Sequence, residues 1–449
     1  MTTRTGLGWG LIAVATIAAL AWGWSVDRVP VPPRPADQTI QADAAWYAAL
    51  PLDASAATAA YLARITPETR ARGEAYSDTR LRAFALRLLT LLVATAVIVA
   101  SGLMVSAGRW TDRRFSRPLL RDAAVAIAYF VALFALSLPA EVYATYVRPH
   151  RFGFSNQPFV SWLQDLLVNW GVMTGFTLVG VLLIYGFMRR RPLQWVGVAV
   201  GVYAALRILF ALLSPNLIEP LTNDFRPLAD GPQKEQISAL ARANGIDDVA
   251  IVVGNASRQT RLLNAHVSGF GATARISVDD NTLRQTSDPM LRFVIAHEIG
   301  HFVLGHDFAF ALSDTLVMAI GFVLIAWALR TLVRRYGPRF GIASVGDIAS
   351  IPLFWGLILS WGIVSAPIHN AISRYHEMQA DRFGLNASQA PHGVAEFMIH
   401  DADVVRLQPT ALEMALFYTH PSPADRVATA MRWREQMARL APLSDTGRP

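Results

Sequence analysis

Val294-Ile-Ala-His-Glu-Ile-Gly-His-Phe-Val-Leu304 is the stretch on which the reading of this chain turns. On a helix, His297 and His301 stand four residues apart on one face, so both imidazoles can reach a single metal ion. Glu298 points roughly a third of a turn away, where a carboxylate can hold an attacking water and take its proton. The flanking residues Phe293, Ile295, Ile299, Phe302 and Val303 are apolar, which predicts a buried, low-dielectric setting. Burying a metal-free histidine pair beside a glutamate there would be costly, so the segment points to a zinc hydrolase.

Beyond that helix, the 449-residue chain is 53% hydrophobic and only 16% charged. Soluble domains carry roughly 25% charged residues, so the deficit indicates a membrane protein. Cysteine is absent, and any metal must therefore be held by histidine and carboxylate. The formal charge of +7 is almost wholly arginine, with Lys234 the sole lysine. These arginines lie at the ends of apolar runs, as membrane topology requires, and no nucleic-acid partner is expected.

Seven apolar stretches approach the roughly 20 residues of a bilayer-crossing helix. They cover residues 6–25, 86–108, 123–147, 167–188, 193–213, 309–330 and 348–370. The first has a weak n-region (Arg4) and a tryptophan pair (Trp22, Trp24), and reads as a retained anchor rather than a cleaved leader. The chain then divides into an N-terminal membrane anchor (1–26), a soluble amphipathic segment (27–85), a membrane domain with spans two to five (86–213), and a zinc domain (214–449). The zinc domain includes spans six (309–330) and seven (348–370). Residues 148–165 read as a loop. The zinc domain shows a helix near 232–244 and two strand-like runs, Val249–Val253 and Ala274–Val278. The expected fold is mainly α: a seven-span transmembrane helical bundle with an HExxH zinc domain carrying a small β-sheet. Arg109, Arg113, Arg114, Arg117 and Arg121 cluster after span two, Arg189–Arg191 after span four, and Arg330, Arg334, Arg335 and Arg339 after span six. The positive-inside rule makes those loops cytoplasmic and puts the zinc domain on the extracytoplasmic face.

A catalytic zinc usually takes three protein ligands and leaves a position for water. Candidates for the third are His306, Asp307, His376, Glu377, Asp381, Glu396 and His420. Glu377 is the strongest, on a helix in which Asp381 follows on the same face and can orient a ligand histidine through its other ring nitrogen. The competing reading makes Glu377 and Asp381 a solvated helix face. His376 points elsewhere and reads as structural, and His306 and Asp307 read as the cap of the motif helix.

Residues 294–304 and 373–384 resemble the zinc motifs of the CAAX prenyl protease 1 family, the integral-membrane gluzincin endopeptidases. The likeness extends to Arg70-Ala-Arg-Gly-Glu-Ala-Tyr-Ser-Asp-Thr-Arg80, Arg151-Phe-Gly-Phe-Ser-Asn-Gln157 and Pro220-Leu-Thr-Asn-Asp-Phe-Arg-Pro-Leu228, over about residues 60–430 in the right order. It implies a zinc metalloendopeptidase with one zinc ion per chain, held by His297, His301 and Glu377, with Glu298 as general base. It also implies catalytic roles for Asn264, ahead of the substrate-binding strand, and for His420 and Arg426 in Thr419-His-Pro-Ser-Pro-Ala-Asp-Arg426. His420 would stabilise the oxyanion, and Arg426 would order that histidine or hold Asp381. The sequence departs from the family at His266, where an aromatic residue usually stands. The implied partners are the lipid bilayer and a peptide or protein substrate, lipidated or not; the arginine-rich composition with its single lysine points to a bacterium, and so to its cell (inner) membrane. The strand near Ala274–Val278 is a candidate to pair with extended substrate. Two competing functions are an HtpX-like quality-control protease and a non-catalytic membrane scaffold.

Overall fold

The computed structural model describes residues 30–32, 42–192, 194–269 and 274–445. The first apolar stretch, 6–25, lies outside them. Among the described residues six helices are long and apolar enough to cross a membrane. They are built on α1 (Pro67–Ser101), α2 (Pro118–Glu141), α3 (Phe159–Arg190), α4 (Trp195–Leu213), α6 (His306–Phe340) and α7 (Ile351–Ser388); α5 (Asp288–Val303), between α4 and α6, is the motif helix. A π-helical turn over Val142–Val147 carries α2 on to Arg151. Expected spans two to seven are thus all present, with shifted ends.

Those shifts have local causes. Thr66 caps α1 by accepting from the Thr69 amide, and Pro67 fits the first helical turn. The helix therefore begins inside the segment expected to be soluble. It ends at Gly102, whose φ of 66° lies in the left-handed region, so the expected span 86–108 stops at Ser101. Residues 148–165 are not simply a loop, since α3 already starts at Phe159. At 1.5 Å per residue the 35 residues of α1 or α6 reach about 52 Å, well beyond the roughly 30 Å hydrocarbon core. Both helices must therefore project out of the bilayer. Along α6, Leu312, Leu316, Ile320, Val323 and Trp327 recur at helical spacing and are exposed, a face that bulk water would not tolerate.

The three arginine loops share one end of the bundle. Arg189 pairs with Asp122 at 2.5 Å and donates to the Gly346 carbonyl at 3.2 Å, while Gly341 packs against Val105. This grouping is independent of the first apolar stretch. The bundle has its own core, in which Tyr129, Tyr185, Trp195 and Phe354 are buried.

At the opposite end a second core joins the N-terminal helices Ala44–Ala49 and Ala54–Ala63 to the zinc domain. Its sheet has four strands: β1 (Phe225–Pro227), β2 (Ala250–Gly254), β3 (Ala265–Ser268) and β4 (Arg275–Asp279), in the order β1-β2-β4-β3. β2 and β4 run parallel with Ile251 opposite Ile276, and β3 is antiparallel to β4 with Val267 opposite Ile276. The sheet's apolar residues Ile276 and Val278 share a core with Ile295 and Ile299 of α5. β4 is flanked on both sides and has no free edge, which corrects its assignment as the substrate-pairing strand. The sheet ends in β1 and β3, and β3, the edge that packs on α5, is too short and polar to stand out in the sequence.

Candidate active site

α5 starts at Ser287, whose hydroxyl accepts from the Met290 amide, and continues through Pro289 to Val303. It crosses α7 at very close range. A Cβ on Gly384 would lie 3.2 Å from the His297 backbone, and one on Gly300 would lie 3.0 Å from the Phe383 ring. Glycine at both positions lets the two backbones approach, and α7 thereby delivers Glu377 and Asp381 to the histidines.

Three of the expected residues form a triangle of lone pairs. The His297 and His301 Nε2 atoms are 3.2 Å apart, and Glu377 oxygens lie 3.2 Å and 3.6 Å from them. Ligands about 2.0–2.1 Å from a tetrahedral ion are about 3.3 Å from one another, so these separations fit a zinc-sized cation. No other group of histidine and carboxylate atoms among the described residues has this geometry.

The outer polar contacts indicate which nitrogen faces the centre. His297 Nδ1 lies 3.0 Å from Asp381, which as a carboxylate only accepts, so the proton is on Nδ1 and Nε2 keeps its lone pair. Arg426 holds Asp381 in a two-pronged pair at 2.9 and 2.6 Å, and both side chains are buried. Arg426 thus holds Asp381, the second of its two implied roles. Burial pulls the His297 pKa down, but hydrogen bonds to Asp381 and Glu377, with the charges of Asp381 and Glu298, outweigh it and raise it to about 9. Without a metal the site thus attracts a proton to Nε2, and an ion bound there would take that proton's place.

His301 is oriented by His306, which is more than the helix cap its sequence position suggests. α5 ends at Val303 with Leu304 as its cap, Gly305 takes a φ of 65°, and His306 opens α6 with its ring turned back to the site. His306 Nδ1 is 3.0 Å from His301 Nδ1, and its Nε2 is 3.2 Å from Gln379 Oε1. A proton passed outward at each step leaves the lone pair of His301 Nε2 facing Glu377. His376 stacks on His306 with centroids 4.6 Å apart, which holds that ring flat. Only the reversal at Gly305 brings His306 to His301, and spacing along the chain carries no trace of it.

Glu298 makes no hydrogen bond or ion pair among the described residues, so its carboxylate is unpaired. Burial raises its pKa, opposed by His297 and His301. His420 reaches the rim, with Nε2 3.3 Å from Glu377 and Nδ1 2.9 Å from the Thr419 hydroxyl. Its side chain is 52% exposed, as a group that meets a substrate must be. Asn264 is exposed and has no hydrogen bond to this cluster. Its backbone is held by Thr282 at 2.9 and 2.8 Å, and it stands just ahead of β3. His266, on β3, lies 3.4 Å from Glu219, which also pairs with Arg275 at 2.6 Å.

Comparison with known proteins agrees with this architecture. Residues 227–434 match the model of peptidase family M48, and residues 52–224 match the model "CAAX prenyl protease N-terminal, five membrane helices". The chain is 26% identical to an uncharacterized metalloprotease, YhfN, of Bacillus subtilis, over 74% of this chain and 79% of that one. It is 25% identical to CAAX prenyl protease 1 of Saccharomyces cerevisiae, over 65% and 68% of the respective chains. The crystal structure of S. mikatae Ste24p superposes with a TM-score of 0.66 at 20% identity, covering 94% of this chain and 98% of that one, and so shares its fold. With the two models together accounting for most of the chain, in the order its membrane and zinc domains take, this protein belongs to the CAAX prenyl protease 1 family of M48 membrane metallopeptidases.

Proposed function

We propose that the chain is a zinc-dependent endopeptidase of the bacterial cell membrane that cleaves lipidated or membrane-associated polypeptides near a terminus. The observation that carries this reading is the triangle of His297, His301 and Glu377 lone pairs, spaced for one tetrahedral ion. Zinc bound there would supply a Lewis acid and acidify an attacking water. Glu298, unpaired and adjacent, takes the proton and returns it to the leaving amine. His420, exposed at the rim, donates a hydrogen bond that stabilises the developing oxyanion. Asp381, Arg426 and His306 touch no substrate and act by holding the ligand imidazoles. An extended substrate pairs with the free edge of β3 next to Asn264, which gives main-chain affinity with little sequence selectivity. The zinc site lies at the end opposite the arginine loops, which supports an extracytoplasmic site.

The test is cleavage of one CAAX peptide, with and without its farnesyl group, by purified protein in detergent with zinc. The Glu298→Gln protein is the blank and is expected to keep zinc and lose cleavage. Lipid-dependent cleavage supports the CAAX-type reading. Equal cleavage of both peptides moves the substrate class to unlipidated or misfolded membrane proteins. Full activity in Glu298→Gln would remove Glu298 as the base.

A further inference from the structure

At the arginine end of the bundle, far from the zinc site, α1, α6 and α7 enclose an open cavity of about 530 Å3. That lies within the roughly 300–1,000 Å3 range of ligand sites. Its walls are hydrocarbon, chiefly Leu92 and Val99 of α1, Leu332 of α6, and Leu353 and Leu357 of α7. Its rim carries Tyr336 and Arg339. Residues 353–360 precede Glu377 by 17 to 24 positions on α7, about 26–36 Å at 1.5 Å per residue, so this cavity is separate from the peptidase site.

The charge around the rim is one-sided. Segments 103–122, 189–195 and 330–347 hold twelve arginines and three aspartates. All three aspartates are engaged: Asp112 with Arg121, Asp122 with Arg189, and Asp347 with the amides of Ala343 and Ala349. Arg339 and its neighbours Arg334 and Arg335 have no carboxylate partner among the described residues. Arg335 lies 5.6 Å from the Tyr336 ring centroid and Arg339 lies 5.8 Å from that of Phe340, the aromatic and cationic pairing of a membrane interface. A peptide would leave these walls in contact with polar backbone, and a soluble anion would leave them empty. An amphiphile with hydrocarbon below and negative charge above satisfies both.

From this we infer that the cavity between α1, α6 and α7 is a binding site for an anionic glycerophospholipid of the surrounding bilayer. An acyl chain lies along Leu92, Leu332 and Leu357, and the phosphate meets Arg339 with the Tyr336 hydroxyl beside it. The lipid ties together the ends of three helices, of which α6 and α7 run on to the zinc site at their other ends.

The experiment reconstitutes the full chain with equal amounts of phosphatidylglycerol and phosphatidylcholine and reads retained lipid by native mass spectrometry. Wild type is expected to retain phosphatidylglycerol in preference. Arg339→Ala should lower retained phosphatidylglycerol about fivefold, the equivalent of one basic residue near an anionic surface, and leave phosphatidylcholine unchanged. Leu357→Trp, which fills the cavity, should lower both. Monodisperse elution and an unchanged helical spectrum separate lost binding from lost folding. Equal retention of the two lipids by wild type would overturn the site. So would an undiminished preference in Arg339→Ala, or a preference that falls instead in Arg113→Ala.

Discussion

Replacing Arg426 with methionine tests whether the buried carboxylate behind His297 governs metal binding. In the native protein Asp381 accepts two hydrogen bonds from the guanidinium, at 2.9 and 2.6 Å, and lies 3.0 Å from His297 Nδ1. The Asp381 and Arg426 side chains are only 4% and 8% exposed, so water cannot replace the lost partner. Removing one member of such a pair costs about 3–5 kcal/mol, because an uncompensated charge stays buried. Asp381 then takes up a proton or turns away, and in either case its hold on the His297 imidazole weakens. Loss of such an outer partner typically weakens metal affinity about 10–100-fold, or about 1.4–2.7 kcal/mol. Two assays separate the effects: the unfolding midpoint of the metal-stripped protein, and zinc affinity by chelator competition. The double variant Arg426→Met/Asp381→Leu removes both charges and should regain most of the stability while binding zinc no better. If Arg426→Met matched wild type in both assays, or the double variant were less stable than the single one, the argument from a buried, oriented carboxylate would fail.

Three further outcomes follow from other parts of the structure. His306→Ala should weaken zinc binding about 10–100-fold in the same competition assay, with cleavage returning at saturating zinc, because it removes only the partner of His301 Nδ1. Glu396 is fully buried beside Tyr47 and the Ser287 hydroxyl that caps α5, and burial raises its pKa from 4.5 to about 7. Its contribution is therefore complete below about pH 4.5 and is lost as pH rises through 7, by about 3 kcal/mol at about 1.4 kcal/mol per pKa unit. Glu396→Gln should flatten the thermal stability profile between pH 5 and 8.5 and raise its upper end; an unchanged slope would refute the assignment. Gly393→Ala would place a Cβ 2.1 Å from the Pro289 carbonyl oxygen at the start of α5. The chain there must shift, and a loss of about 1–3 kcal/mol is expected in the unfolding midpoint.

Much of this protein is legible in the sequence because its dominant signals are local. A run of apolar residues long enough for a bilayer must be a span wherever it sits, and two histidines at helical spacing must share a face. Those two facts set out six of the seven expected spans, the motif helix and the candidates His297, His301 and Glu298, and the spacing of Glu377 and Asp381 makes them candidates for the rest of the inner site. The arginine loops likewise foretold a common end, which the Arg189–Asp122 and Arg189–Gly346 contacts join. What the chain could not disclose depends on backbones meeting across long separations. β3 is an edge and β4 is interior only because β2 lies beside β4. Arg426 serves Asp381 only because two helices 45 residues apart in sequence pack together. His306 reaches His301 only because Gly305 turns the chain back by adopting a positive φ. Local hydrophobicity and helical spacing are properties of the sequence alone, whereas the partner of a buried hydrogen-bonding group is decided by which distant segment closes over it.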